Sequence, residues 1–190
     1  MEQLQQFEWC ELRSRTWRLL REREHILRSK HSPLLQFLVM PSFTDSWCID
    51  LVRTDGITAA YYTVWRMTYD IEAFSTAIER LKHPRPYLPT LESTKLDASS
   101  DSLDEILERL SATVVPLSRV RNSISLDGTL FELQIGECCT GIMLKWHNEL
   151  PDEWSPELAD VVCKLNEMAN LHTTQASEQA DAREWRSRAH

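Results

Sequence analysis

The spacing of hydrophobic residues changes several times along this 190-residue chain, and each change marks an element. Leu4, Phe7, Leu12, Leu19, Leu20, Ile26 and Leu27 recur at roughly helical intervals with no Gly or Pro between them. They predict one long amphipathic helix over residues 2–29, ringed by Arg13, Arg15, Arg18, Arg21, Arg23 and Arg28 and ended at Ser32-Pro33. The pattern then shortens. LLQFLVM (34–40) is an apolar strand stopped by Pro41. SWCIDLVR (46–53) alternates, with Trp47, Ile49 and Leu51 on one face and Cys48, Asp50 and Val52 on the other. Thr54-Asp55-Gly56 reads as a hairpin turn into the aromatic and β-branched strand ITAAYYTVWRMTY (57–69).

Ile71, Phe74, Ile78 and Leu81 predict a helix over about 71–82 with Asp70 as N-cap. HPRPYLPT is too proline-rich for regular structure, and LESTKLDASSD reads as its polar continuation. SLDEILERL (102–110) is a short helix, with Ser102 and Glu105 spaced as a capping box. A second meander follows in SISL (123–126), the turn Asp127-Gly128, TLFELQI (129–135) and TGIMLKWHN (140–148). After Pro151, Ser155 and Pro156 open a helix whose buried face is Leu158, Val161, Val162, Leu165 and Met168. The fold class is therefore α+β: a mostly antiparallel sheet of about six strands in two meanders, with packed helices and the long N-terminal helix. The chain divides into an N-terminal helix (1–32), an α+β domain (33–171) and a polar tail (172–190).

Composition narrows the function. A hydrophobic fraction of 42% and a charged fraction of 26% are those of an ordinary globular protein. Four glycines leave almost no room for a glycine-rich phosphate loop. Residues 1–33 hold seven Arg/Lys against five Asp/Glu, and the remainder fourteen against twenty-four. A net charge of −8 disfavours nucleic acid and favours a basic protein partner. No window has transmembrane length, the start has no apolar leader, and five unpatterned cysteines read as reduced thiols, so a cytoplasmic protein without membrane association is expected.

Candidate chemistry is sparse. Cys138 and Cys139 lie near His147, but strand geometry carries the histidine away from them, so no catalytic residue is assigned and the chain is read as a non-enzyme. No His, Cys or carboxylate spacing calls for a metal, and no cofactor is expected. Binding features are richer. Alternation turns Tyr62 away from Tyr61, toward the surface. Glu92, Asp97, Asp101, Asp104, Glu105 and Glu108 form an acidic run, and HNELPDE adds Glu149, Asp152 and Glu153. The partner-binding set is Asp101, Asp104, Glu105, Glu108, Tyr62, Glu149, Asp152 and Glu153.

Asp127, Gly128, Thr129, Phe131, Glu132 and Leu133, followed by Trp146, Pro151 and Trp154, form a pattern over roughly residues 123–170. It resembles small uncharacterised bacterial proteins that pair an Asp-Gly-Thr hairpin with a tryptophan strand and a Pro-x-x-Trp helix start. Some of these resemble immunity proteins, acidic inhibitors encoded beside toxins. The resemblance implies a shared fold first. Its functional implication is a binding module that neutralises or regulates a basic protein, a toxin or a complex subunit. The alternative is an assembly or scaffold component that docks or homodimerises through its N-terminal helix.

Overall fold

The computed structural model describes residues 2–22, 33–74, 89–113, 128–136, 141–151 and 154–188, with the side chains of 2–10, 22, 73–74 and 175–188 excepted. Among these the order is α1 (Glu2–Glu22), β1 (Leu35–Pro41), β2 (Ser46–Thr54), β3 (Ile57–Trp65), α2 (Met67–Phe74), β4 (Leu91–Lys95), α3 (Ser100–Ala112), β5 (Thr129–Ile135), β6 (Ile142–His147) and α4 (Pro156–Arg188). The six strands form one antiparallel sheet in the order β4-β3-β2-β1-β5-β6. The architecture is α+β. No helix among the described residues is long and apolar enough to cross a membrane.

Strand alternation makes the sheet two-faced. One face presents Leu35, Phe37, Val39, Ile49, Leu51, Tyr62, Val64, Leu133, Leu144 and Trp146 to α3 and α4, which bury Leu103, Ile106, Leu110, Leu158, Val161 and Leu165 against it. Phe131 and Trp146 stack at 5.2 Å, and Trp154 meets Trp146 edge-on at 5.2 Å. The other face lies toward α1 and is half polar. Leu12 and Leu20 pack there on Trp65, Leu38 and Met40. Between them run the buried side chains Gln36, Asp50, Thr63, Glu132 and Gln134. Gln36 Nε2 donates to the Leu20 carbonyl (2.8 Å) and to Asp50 (3.0 Å), tying α1 to the sheet. Residues 23–32 lie outside the described residues, so the expected run to residue 29 is not described past Glu22.

The β2–β3 turn follows the sequence. Asp55 and Gly56 have φ of 52° and 80°, the paired positive angles of a two-residue hairpin. Ser155 caps α4, accepting from the Leu158 amide at 3.3 Å.

Other expectations are corrected. β3 ends at Trp65 rather than residue 69, because the Asp45 carboxylate accepts the Met67 amide (2.9 Å) and starts α2 four residues early. Asp70 is therefore inside α2 and fully buried, not an N-cap. LESTK is an edge strand rather than loop. Its side chains can stay in water there, and Thr63–Ser93 and Arg66–Glu92 contacts hold it to β3 and its end. α3 begins at Ser100 with Ser99 as cap, accepting from the Ser102 amide, so Ser102 is not the cap. The second meander is also rearranged. β1 and β6 fill both sides of β5, so the sixth strand is β4, and residues 123–126 fall outside the described residues. α4 continues through the expected polar tail to Arg188.

Candidate partner-binding face

Burial of Leu103, Ile106 and Leu110 rolls the acidic side of α3 outward. Asp104 leans back onto the β2–β3 hairpin. Its Oδ1 accepts from Arg53 Nη2 (2.5 Å) and from Thr58 Oγ1 (2.6 Å), while Ser100 Oγ accepts the Thr58 amide (3.0 Å). The Thr58 hydroxyl, then the Arg53 guanidinium, hold the Asp104 carboxyl below the ordinary range. Glu105 pairs with Arg109 (2.6 Å), and Arg109 bridges to Asp160 on α4. Lys164 sits 3.8 Å from Glu105 and 3.9 Å from Asp160. Four charges thus clamp α3 to α4 in a half-exposed network.

What remains is unspent negative charge. Asp101, Glu108, Glu157 and Glu167 are exposed and make no ion pair among the described residues. Over α3 and residues 156–174 of α4, seven carboxylates face the three cations Arg53, Arg109 and Lys164. A groove of about 400 Å³ runs beside α3, lined by Leu34, Arg53, Asp104, Leu107, Glu108 and Ser111. The groove supplies an apolar floor (Leu34, Leu107) next to free carboxylate, a pairing suited to a lysine or arginine stem and head.

The predicted set is only partly brought together. Asp101, Asp104, Glu105 and Glu108 share α3. Glu149 is exposed, but it follows β6 at the end of the sheet where β2 starts; the hairpin held by Asp104 is at the other end. Asp152 and Glu153 lie outside the described residues. Tyr62 is a correction: it is 6% exposed, between Trp47 (5.8 Å) and His172 (5.1 Å) under α4. The alternation was read correctly, but the face opposite Tyr61 is the apolar interior. Burial first, opposed by a hydrogen bond with Thr173, pushes its phenol above the usual value.

Sequence reasoning missed Asp160, Lys164 and the free Glu157 and Glu167. Their i, i+3 and i+4 spacing on the polar side of α4 was the available signal. Cys138 and Cys139 lie outside the described residues, and His147 is exposed at the far end of β6. Among the described residues no group of three or more His, Cys, Asp or Glu is placed to hold a metal.

A second concavity of about 500 Å³ lies at the other end of the sheet, lined by Asp45, Arg66, Thr68, Tyr69, Thr90 and Glu92. Glu92 bonds Arg66 at 2.7–2.9 Å and raises its pKa, so this cation is already matched by acids of the same pocket. Comparison with protein-family models, with curated proteins and with solved structures finds no match.

Proposed function

We propose that the chain is a non-enzymatic binding module that neutralises or regulates a basic protein partner, in the manner of an immunity protein or antitoxin. The observation that supports this most is the outer face of α3 and α4. There, carboxylates exceed cations by seven to three on two helices joined by their own ion pairs and held to the sheet by Asp104–Arg53 and by their apolar side. A pre-formed surface of net negative charge steers an oppositely charged partner and fixes its orientation at little ordering cost. The work is divided. Asp104, Glu105 and Asp160 hold the architecture through Arg53, Arg109 and Lys164. Asp101, Glu108, Glu157 and Glu167 are free to meet the partner. Glu149 belongs to the outer margin of such an interface rather than its centre. The meeting place in this reading is the cytoplasm, where the thiols of Cys48 and Cys163 stay reduced.

The alternative of docking through the N-terminal helix has less to draw on, because Leu12, Thr16 and Leu20 are already buried against the chain's own sheet. The test is a tagged pull-down from the native host at low and high salt, with wild type beside Asp101→Lys/Glu108→Lys/Glu157→Lys/Glu167→Lys. A basic protein retained at low salt by wild type and lost by the variant supports the reading. Equal retention by both overturns the assignment of this face.

A further inference from the structure

The two coverings of the sheet are held by different forces. α3 and α4 lie on one continuous apolar cluster. α1 touches two small ones: Leu20 with Leu38, Met40 and Cys48, and Leu12 with Trp65 and Met67. Polar side chains occupy the sheet face around them, namely Gln36, Asp50, Thr63, Glu132 and Gln134, all buried. Thr16, buried midway between Leu12 and Leu20, turns its hydroxyl back to the Leu12 carbonyl (3.0 Å) rather than to the sheet.

The polar contacts across this layer are uneven. Gln36 Nε2 reaches the Leu20 carbonyl at 2.8 Å. The contacts of Arg13 with the Pro41 carbonyl (3.4 Å) and of the Cys48 thiol with the Leu20 carbonyl (3.9 Å) are long. Among the described residues, three buried side-chain atoms have no hydrogen bond: Trp17 Nε1, Ser46 Oγ and Glu132 Oε1, the last met by its ion pair with Lys145. All three belong to this side. Trp17 is on α1, Ser46 lies opposite Trp65, and Glu132 lies opposite Leu38. A buried polar group without a partner favours any state that returns it to water. Lifting α1 wets Trp17 and the polar strip while the α3–α4 core stays closed.

We propose that α1 is a releasable strap, which undocks as a unit while the six-stranded sheet and its α3–α4 layer remain folded. Sub-global openings fall to elements with little buried apolar contact. The strap masks in both directions. Docked, it hides its own apolar residues Leu12 and Leu20 and covers the strip that holds Gln36 and Asp50. Undocked, it exposes both, so access to either surface is set by the opening equilibrium. The opening also uncovers Cys48, which is fully buried against Leu20 and serves as its reporter. The proposal is independent of the acidic α3–α4 face.

The test is the rate at which dithiobis(nitrobenzoate) labels Cys48 in the full chain carrying Cys10→Ser/Cys138→Ser/Cys139→Ser/Cys163→Ser, beside hydrogen exchange of the wild type in low urea. Cys48 should label at least about a hundredfold faster than the global unfolding equilibrium allows, with little dependence on urea. Gln36→Leu strands the Leu20 carbonyl in the docked state and should speed labelling about tenfold. Val161→Ala, on the α4 side, should lower global stability and leave the labelling rate unchanged. The amides of Thr16, Leu20 and Arg21 should exchange ahead of those of Phe37, Ile49 and Leu51, and together. Labelling only at the rate of global unfolding overturns the proposal, as does labelling that Val161→Ala speeds as much as Gln36→Leu does. Early exchange in α1 with Cys48 still protected also overturns it, because that is fraying rather than release. Should the serine background fail to fold, exchange decides: α1 amides sped together by Gln36→Leu support the strap, and α1 amides that share the protection of the sheet overturn it.

Discussion

Replacing Asp70 with alanine discriminates sharply between two physical accounts of one residue. As a helix N-cap, the role its sequence context predicts, Asp70 would contribute about 1 kcal/mol. In the structure its buried carboxylate accepts from Trp65 Nε1 (2.6 Å), the Thr90 amide (2.9 Å) and the Thr90 hydroxyl (2.7 Å). It thereby ties the end of β3, the interior of α2 and the approach to β4 into one corner. Trp65 is itself fully buried, so alanine strands its indole N–H away from water and deprives the Thr90 amide of its acceptor. A stranded buried donor costs about 1–3 kcal/mol; the hydroxyl can rotate and adds less. Asp70→Ala should therefore lose about 3–5 kcal/mol, and Asp70→Asn, which keeps one acceptor, about 1–2 kcal/mol. The assay is urea unfolding followed by tryptophan fluorescence. With a slope of about 2 kcal/mol/M, the alanine midpoint should fall by about 1.5–2.5 M. A loss under about 1 kcal/mol for Asp70→Ala would refute the three-donor account and restore the cap.

Further outcomes follow from the same contacts. Gly128→Ala should destabilise by about 2 kcal/mol, because a Cβ there collides with the Asn148 side chain whose oxygen accepts the Thr129 amide; thermal melts check this. Asp104 has a depressed folded-state pKa, so its stabilising contribution is present above the ordinary carboxylate value and disappears as pH falls through the lower folded value; carboxyl NMR titration of wild type and Thr58→Val should show the midpoint rising toward the ordinary value in the variant. Tyr62 has a raised folded-state pKa, so its contribution is complete below the ordinary phenol value and is lost as pH rises through the folded one; Tyr62→Phe should flatten the alkaline limb of stability. Lys145→Ala should destabilise more than Glu132→Gln, because it leaves the buried Glu132 charge unpaired; a difference of about 1–2 kcal/mol is expected with Lys145 half-exposed.

Where the chain announces its own periodicity, the fold was legible. The Asp55-Gly56 hairpin, the alternation of β2, and the Ser155-Pro156 start of α4 all rest on local chemistry and stand as read. β4 was hidden because an edge strand needs no apolar side chains; β3 offers the ladder and LESTK only fills it. The start of α2 was hidden because its capping carboxylate, Asp45, comes from 22 residues upstream. Gln36, the only polar residue in an apolar run, was the visible trace of the polar layer under α1. Its partners Asp50 and Leu20 could not be assigned without knowing that α1 lies on that face. The acids of α3 were legible as a group. Which of them were spent on Arg53, Arg109 and Lys164 was not, since each cation arrives by tertiary contact or from a helix turn away. Tyr62 shows the same limit: alternation separates two faces but does not say which is covered.

The most direct test of the proposed binding face is the association rate of the chain with a basic protein recovered in the pull-down, measured by stopped flow across a salt series. Wild type should associate at least about tenfold faster at low than at high salt, and reversal of Asp101, Glu108, Glu157 and Glu167 to lysine should abolish that acceleration with the fold intact. An unchanged rate and an unchanged salt slope in the reversed protein would contradict the account.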